Sequence, residues 1–233
     1  MISFQTKQEF DLTYESYDDW GRPVGAKPIV LHYNRYPCRK VAVHRAAQLV
    51  ESIGIDPGER VLIVGCGFGW LVEELSKTVI CLGTETSPYI LANKDVSEEQ
   101  ELREAIIAAD LDPDTGRGAQ ALEILLDGGV RTNATILNES SLTPQSRISV
   151  LETLGNHVDY VITEDLLPSL TDEEVVELRD ALELYGAKSV YHLTALKSLV
   201  SPQDANMNWK TVNEWEPLLG SQRLIRSDSF EIF

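Results

Sequence analysis

The chain has 233 residues, 43% of them hydrophobic, and a formal net charge of −17 at pH 7. The length and the hydrophobic fraction fit one globular domain with a sizeable core. The acidic balance argues against a nucleic-acid partner, because such binding draws most of its affinity from lysine and arginine on phosphates. No apolar stretch is long enough to cross a bilayer, and the first residues lack a signal-peptide pattern. We therefore expect a cytoplasmic protein without membrane contact.

Polar and aromatic residues dominate positions 1–37, which predicts an N-terminal arm or lid. We assign residues 38–233 to one domain. Between 38 and 53 the apolar residues recur at helical spacing, and Gly54 ends the predicted helix. Four basic residues lie in or just before this helix, and we interpret them as a solvated face: Arg35, Arg39, Lys40 and Arg45.

The next segment predicts a strand that runs directly into alternating glycines. Val61 to Val64 is an apolar, β-branched run, and Trp70 to Lys77 again has helical spacing. The glycines between them therefore lie on a strand-to-helix turn, where a missing Cβ lets a ligand approach the backbone. A nucleotide-like ligand suits such a turn. The glycines are Gly65, Gly67 and Gly69.

A second predicted strand, 78–84, ends at Glu85, about 20 residues after the glycine turn, where an acidic residue can bind a ribose diol. Its carboxylate offers two acceptor oxygens to two adjacent hydroxyls, which a serine or asparagine cannot match. The alternative is a solvated carboxylate at a strand end. The ribose role is favoured because ligands bind at the carboxyl ends of parallel strands.

Residues 94–128 interrupt the pattern and predict a helical insertion, or equally an enlarged crossover. Strands are predicted at 134–137, 158–163 and 188–194, and helices near 145–155, 171–185 and 208–215. The tail, 223–233, alternates loosely and ends in strand-like residues. Alternating strands and helices of this kind indicate an α/β fold with a doubly wound, mostly parallel sheet.

The glycine spacing separates two ligand classes. A dinucleotide-binding turn has the pattern G-x-G-x-x-G, whereas this chain carries Trp70 at the last position. An indole there would obstruct a turn that binds a pyrophosphate. The observed pattern G-x-G-x-G resembles motif I of the class I S-adenosylmethionine-dependent methyltransferases. The resemblance covers about residues 38–200 as a pattern of elements, and its specific residues lie at 61–71 and 85.

That resemblance implies a seven-stranded, mostly parallel sheet and S-adenosylmethionine as the cofactor. It also implies that the tail, 223–233, forms a closing hairpin at one edge of the sheet. In the family, the turn after the third strand reads the adenine, which points to Asn138 and Glu139, although a polar turn that caps a helix explains them nearly as well. The fourth strand ends at Glu164 and Asp165, the candidates for a general base, of which at least one could simply cap the next turn. The implied cofactor contacts are Gly65, Cys66, Gly67, Gly69, Glu85, Thr86, Asn138, Glu139 and Glu164.

The implied activity is methyl transfer to a nucleophile on a small molecule or a protein. Two alternatives stay open: a non-catalytic binding or structural module that keeps the fold, and an NAD(P)-binding Rossmann enzyme, against which Trp70 argues. The four histidines and three cysteines have no metal-ligand spacing, so we predict no metal site. The oligomeric state stays open, a dimer included.

Overall fold

The structure is a computed structural model of the full chain, and the statements that follow concern only the residues that it describes. The predicted N-terminal arm, most of the 94–128 insertion, and Asn138 with Glu139 lie outside them. The described residues are 39–67, 69–86, 103, 107, 112–116, 119, 122, 134–137, 143–194, 208–227 and 230–233.

Strands and helices alternate along the described chain, as the sequence predicts. The helices are α1 (Arg39–Ile53), α2 (Trp70–Leu75), α3 (Pro144–Thr153), α4 (Asp172–Glu183) and α5 (Val212–Leu219), with a 3-10 turn at Leu167–Ser169. The strands are β1 (Arg60–Val64), β2 (Ile80–Thr84), β3 (Ile136–Leu137), β4 (Tyr160–Glu164), β5 (Ser189–Thr194) and β6 (Arg223–Arg226).

The strands form one sheet in the order β3-β2-β1-β4-β5-β6, and every neighbouring pair is parallel. From β1 the chain moves outward to β2 and β3 and then returns to β4 on the other side of β1. The strand order therefore reverses between β1 and β4, which is the point where open α/β sheets bind their ligands.

The core lies on both faces of this sheet. Residues of β1 alternate between the faces, because side chains along a strand point in turn to opposite sides. Val61 and Ile63 pack with α1 and α2, whereas Leu62 and Val64 pack with α3, α4 and α5. These four side chains of β1 are all buried. This confirms the doubly wound α/β arrangement.

Six strands are present in the part of the chain that the structure describes, one fewer than the seven that the resemblance implies. The predicted closing hairpin pairs β6 with the last residues, with Leu224 and Phe233 exchanging two backbone hydrogen bonds. Ile225 and Ile232 form an isolated antiparallel bridge rather than a strand pair. Among the described residues, a bridge therefore stands where the antiparallel strand was expected.

Several predicted boundaries were wrong: the strands predicted from 78, 134 and 158 each begin two residues later, at Ile80, Ile136 and Tyr160. The second strand begins at Ile80 instead of residue 78, because the amides of Thr78 and Val79 still bond to Leu75 at the end of α2. The helix predicted at 208–215 spans Val212–Leu219 instead. Thr211 and Glu214 form a capping box that fixes its start, a signal that the sequence already contains.

One buried polar network crosses the sheet beside the core. His192 of β5 is fully buried, and its Nδ1 lies 3.0 Å from Oγ1 of Thr163. Its Nε2 lies 2.8 Å from Oε1 of Gln222, whose amide nitrogen donates to the carbonyl of Arg179. Since that donation leaves the Gln222 oxygen as an acceptor, His192 carries its proton on Nε2 and accepts from Thr163.

No helix in the described residues is long and apolar enough to cross a membrane.

Candidate functional site

The candidate site lies at the carboxyl ends of β1, β2 and β4, where the strand order reverses. We call this place the crevice. It is defined by the glycine turn after β1 (65–69), by Glu85 and Thr86 after β2, and by Glu164 and Asp165 at the end of β4. The three parts are far apart in sequence, and the parallel pairing of β1 with β2 and β4 brings them to one edge.

The glycine turn is tied to β2 by its backbone. The amides of Gly65 and Cys66 both donate to the carbonyl of Thr84, at 3.0 and 3.2 Å. Gly65, Gly67 and Gly69 have φ angles of 72°, 54° and 81°. This left-handed region is costly for residues with a Cβ, so three alternating glycines let the chain turn sharply from β1 into α2.

Two glycines also serve close packing. A Cβ built on Gly69 would lie 2.5 Å from Cδ1 of Ile136 in β3, and one on Gly83 of β2 would lie 2.6 Å from Sγ of Cys66. Gly69 therefore lets the start of α2 approach β3, a role that needs no ligand. Trp70, the first residue of α2, is buried beside it.

Glu85 is a buried carboxylate whose orientation is fixed by backbone donors. Its Oε2 accepts from the amide of Gly67 at 2.9 Å, and its Oε1 accepts from the amide of Thr86 at 2.7 Å. Only 7% of the residue is exposed. Each carboxylate oxygen can accept more than one hydrogen bond, so the two oxygens can also receive the hydroxyls of a ribose.

Glu164 and Asp165 share one guanidinium. Nη1 of Arg45 donates to Oε1 of Glu164 at 3.0 Å and to Oδ2 of Asp165 at 2.9 Å. The exposed side-chain fractions are 9% for Arg45, 16% for Glu164 and 13% for Asp165. Asp165 has a φ of 48°, unusual for a residue with a side chain, and its amide continues the sheet by donating to Leu193.

Burial and charge act against each other on these groups. Burial raises the pKa of Glu164 to about 7, against the opposing effect of Arg45 and with further contributions from Asp165 and Glu85. Burial also opposes the charge of Arg45, yet Asp165 and Glu164 keep its pKa above the ordinary value. Burial, followed by the charges of Glu85 and Glu164, raises the pKa of the Cys66 thiol well above its usual range. Cys66 is therefore a neutral thiol.

The interpretation of Arg45 as part of a solvated helix face was wrong. Arg45 lies on the buried side of α1 with Ala42, Ala46 and Leu49. The spacing of these residues by three or four positions places position 45 within the apolar stripe, a signal that the sequence contains. A charged residue that is buried within such a stripe needs a partner of opposite charge, and Arg45 has two such partners.

The structure brings together eight of the predicted site residues in the crevice: Gly65, Cys66, Gly67, Gly69, Glu85, Thr86, Glu164 and Asp165. Asn138 and Glu139 lie outside the described residues, so their predicted adenine contact stays a prediction. Among the described residues, no group of three or more histidines, cysteines or acidic residues could hold a metal ion.

Neither a protein-family model nor a curated protein matches the sequence. The structure is similar to magnesium protoporphyrin IX methyltransferase from Synechocystis PCC 6803. With S-adenosylmethionine bound, that enzyme aligns at a TM-score of 0.50 and 16% identity, over 100% of this chain and 95% of that chain. With S-adenosylhomocysteine bound, it aligns at 0.52 and 17%, over 97% and 95%.

This likeness, together with the strand order and the glycine turn, identifies the fold. The chain has the fold of the class I S-adenosylmethionine-dependent methyltransferases. Sequence identities this low show the fold alone, and a fold supports many activities. The activity of this chain must therefore be argued from the crevice.

Proposed function

We propose that the protein is an S-adenosylmethionine-dependent methyltransferase that acts on a nucleophile of a small molecule or a protein. The observation that carries the proposal is the joining of the glycine turn to Glu85 by the Gly67 amide, at the reversal point of the sheet. It places a buried carboxylate beside a backbone turn that has no Cβ at three positions. A carboxylate can bind the hydroxyls of a ribose, and a turn without Cβ atoms lets a ligand approach the backbone closely.

The donor set of the crevice fits this cofactor. Glu85 would hold the ribose hydroxyls, the turn from Gly65 to Gly69 would pass beneath the methionine moiety, and Thr86 would adjoin the nucleoside. The crevice carries three carboxylates, which suits a cationic ligand more than an anionic pyrophosphate. When bound, the cofactor supplies an electrophilic methyl group on a sulfonium centre.

Glu164 and Asp165 would face the reacting end of the site, because β4 adjoins β1 at the reversal point. Burial and the partner Arg45 fix both side chains in place, which suits groups that position a nucleophile. Glu164, whose pKa is raised to about 7 by burial, is the better candidate for a base.

Calorimetry with S-adenosylhomocysteine, S-adenosylmethionine and NADH tests the proposal directly. We expect the first two to bind and NADH to give no heat. Glu85→Ala should abolish binding, whereas Glu152→Gln, which removes a charge from an exposed position on α3, should leave it unchanged. Absence of binding at millimolar S-adenosylhomocysteine would refute the proposal. Binding of NADH in its place would support the Rossmann-enzyme alternative.

A further inference from the structure

The described residues of the crevice include more carboxylates than cationic groups. Three carboxylates of the described residues, those of Glu85, Glu164 and Asp165, lie there with one guanidinium, that of Arg45. Glu164 and Asp165 share one guanidinium, so with Arg45 they carry a formal charge of −1 when all three groups are ionised. Charges in a partly buried site are screened less than charges at the surface, so this excess acts strongly on any ligand group beside it.

The geometry of Arg45 leaves part of the acidic pair available. One guanidinium nitrogen, Nη1, contacts one oxygen of Glu164 and one of Asp165. Among the described residues, the side chain of Glu164 makes no hydrogen bond other than this one. The second oxygen, Oε2, therefore has acceptor capacity for a ligand, and Arg45 holds the carboxylate in a fixed orientation. Arg45 is thus a positioning residue.

Because methyl transfer changes the charge of the attacking atom, this excess of negative charge favours some nucleophiles over others. Positive charge moves from sulfur to the attacking atom as the methyl group is transferred. A neutral amine becomes a cation and is stabilised by adjacent carboxylates, whereas a carboxylate or phenolate nucleophile would be repelled by them. A catalytic site is expected to stabilise the charge that develops in the transition state.

We propose that the methyl acceptor is an amine, which binds as its ammonium ion beside Glu164 and transfers a proton to that carboxylate. The inference rests on the proposed function. The N–H bond breaks as Glu164 Oε2 takes the proton, and the freed lone pair then forms the N–C bond. The C–S bond breaks with its electron pair staying on sulfur. The product is a methylated ammonium ion, and Glu164 returns its proton to solvent.

The surroundings of Glu164 support its role as the proton acceptor. Arg45 from α1 bonds to it and to Asp165 of the same strand end, and the charge of Glu85 after β2 also acts on it. Burial raises its pKa to about 7, so it accepts a proton more readily than an ordinary carboxylate at neutral pH.

Three nucleosides that differ only at the reacting end test the inference by calorimetry on the native chain. S-adenosylhomocysteine has a neutral thioether, S-adenosylmethionine a sulfonium, and sinefungin an amine that replaces the methyl-bearing sulfonium. We expect sinefungin to bind at least about tenfold more tightly than S-adenosylhomocysteine, and more tightly than S-adenosylmethionine, because its N–H groups can donate to Glu164. Glu164→Gln should remove this advantage, and the matched Glu152→Gln should retain it.

The outcomes separate the two proposals. Equal affinities of sinefungin and S-adenosylhomocysteine for the native chain would overturn the amine inference and leave the cofactor assignment standing. An equal gain for S-adenosylmethionine and sinefungin would also overturn it, since the carboxylates would then respond only to the positive charge at that position. Failure of all three nucleosides to bind would overturn the proposed function itself. The rank order on the native chain needs no variant, so a poorly folding Glu164→Gln does not weaken the test.

Discussion

The amide of Gly67 donates to Oε2 of Glu85 at 2.9 Å, so the turn after β1 and the end of β2 form one hydrogen-bonded unit. Glu85 is thereby oriented before any ligand arrives. Preorganised acceptors bind ligands more tightly, because the cost of ordering a side chain has already been met in folding. The same bond makes Glu85 a residue with two roles, one in the fold and one proposed in the site.

Glu85→Gln should separate these two roles. The amide group of glutamine would present N–H to one of the backbone donors, Gly67 or Thr86, and leave that donor unsatisfied. We expect a loss of about 1 to 3 kcal/mol in the free energy of unfolding, measured by urea denaturation. The affinity for S-adenosylhomocysteine should fall about tenfold or more, because a charge-assisted contact is lost.

The control for this prediction is Glu85→Asp, which keeps the charge and shortens the side chain. It should retain the thermal shift with ligand better than Glu85→Gln if charge dominates the ribose contact. Identical affinities for the native chain and Glu85→Gln would rule out the ribose role.

Gly69→Ala should destabilise the protein through contact with β3. Its new Cβ would lie 2.5 Å from Cδ1 of Ile136, at a backbone φ of 81°. The left-handed backbone costs about 1 to 2 kcal/mol and overpacking adds about 1 to 3 kcal/mol. Gly58→Ala is the matched control, since Gly58 has a φ of 88° and no atom within 4 Å of the new Cβ.

Urea denaturation of the two variants compares backbone strain alone with strain plus overpacking. We expect the Gly69 variant to lose more stability than the Gly58 variant. Adding Ile136→Val to Gly69→Ala removes the clashing methyl group and should restore part of the loss. Equal losses at both glycines would mean that β3 moves away without cost, contrary to the packing described.

Arg45→Met should leave two carboxylates buried without their cationic partner. Removing one member of a buried ion pair costs about 3 to 5 kcal/mol, and we expect a loss of that order in thermal and urea unfolding. The pKa of Glu164 should rise further, because Arg45 lowers it in the native chain. The triple variant Arg45→Met, Glu164→Gln, Asp165→Asn should recover much of the stability. A triple variant no more stable than Arg45→Met would contradict this account.

Local signals in the sequence predicted most of the element order. Thr171 and Glu174 form a capping box at the start of α4, within the helix predicted at 171–185, and the alternating glycines occur at the predicted turn. Such features depend only on residues that are close in sequence, so they can be predicted without knowledge of the fold. The equivalent capping box at Thr211 was not predicted, and the predicted start of α5 lies four residues too early.

Contacts between distant segments were not predictable in the same way. Arg45 meets Glu164 across 119 positions in the chain, and the contact depends on the packing of α1 against the end of β4. The sequence could show that a charge lies in an apolar stripe, but it could not show which carboxylates satisfy that charge. The sequence therefore identified Glu164 and Asp165 as candidates for the site, but it did not identify Arg45 as the residue that holds them.

His192 should make the stability of the protein depend on pH below neutrality. Burial lowers its pKa from 6.5 to about 4, so the folded state binds the proton less readily than the unfolded state. The stabilisation is therefore full above pH 6.5 and is lost as the pH falls to about 4, a change of about 3 kcal/mol for such a depression. The difference in unfolding free energy between the native chain and His192→Gln, measured at several pH values, should decline over that window. A flat difference for His192→Gln would show that the buried imidazole does not titrate as described.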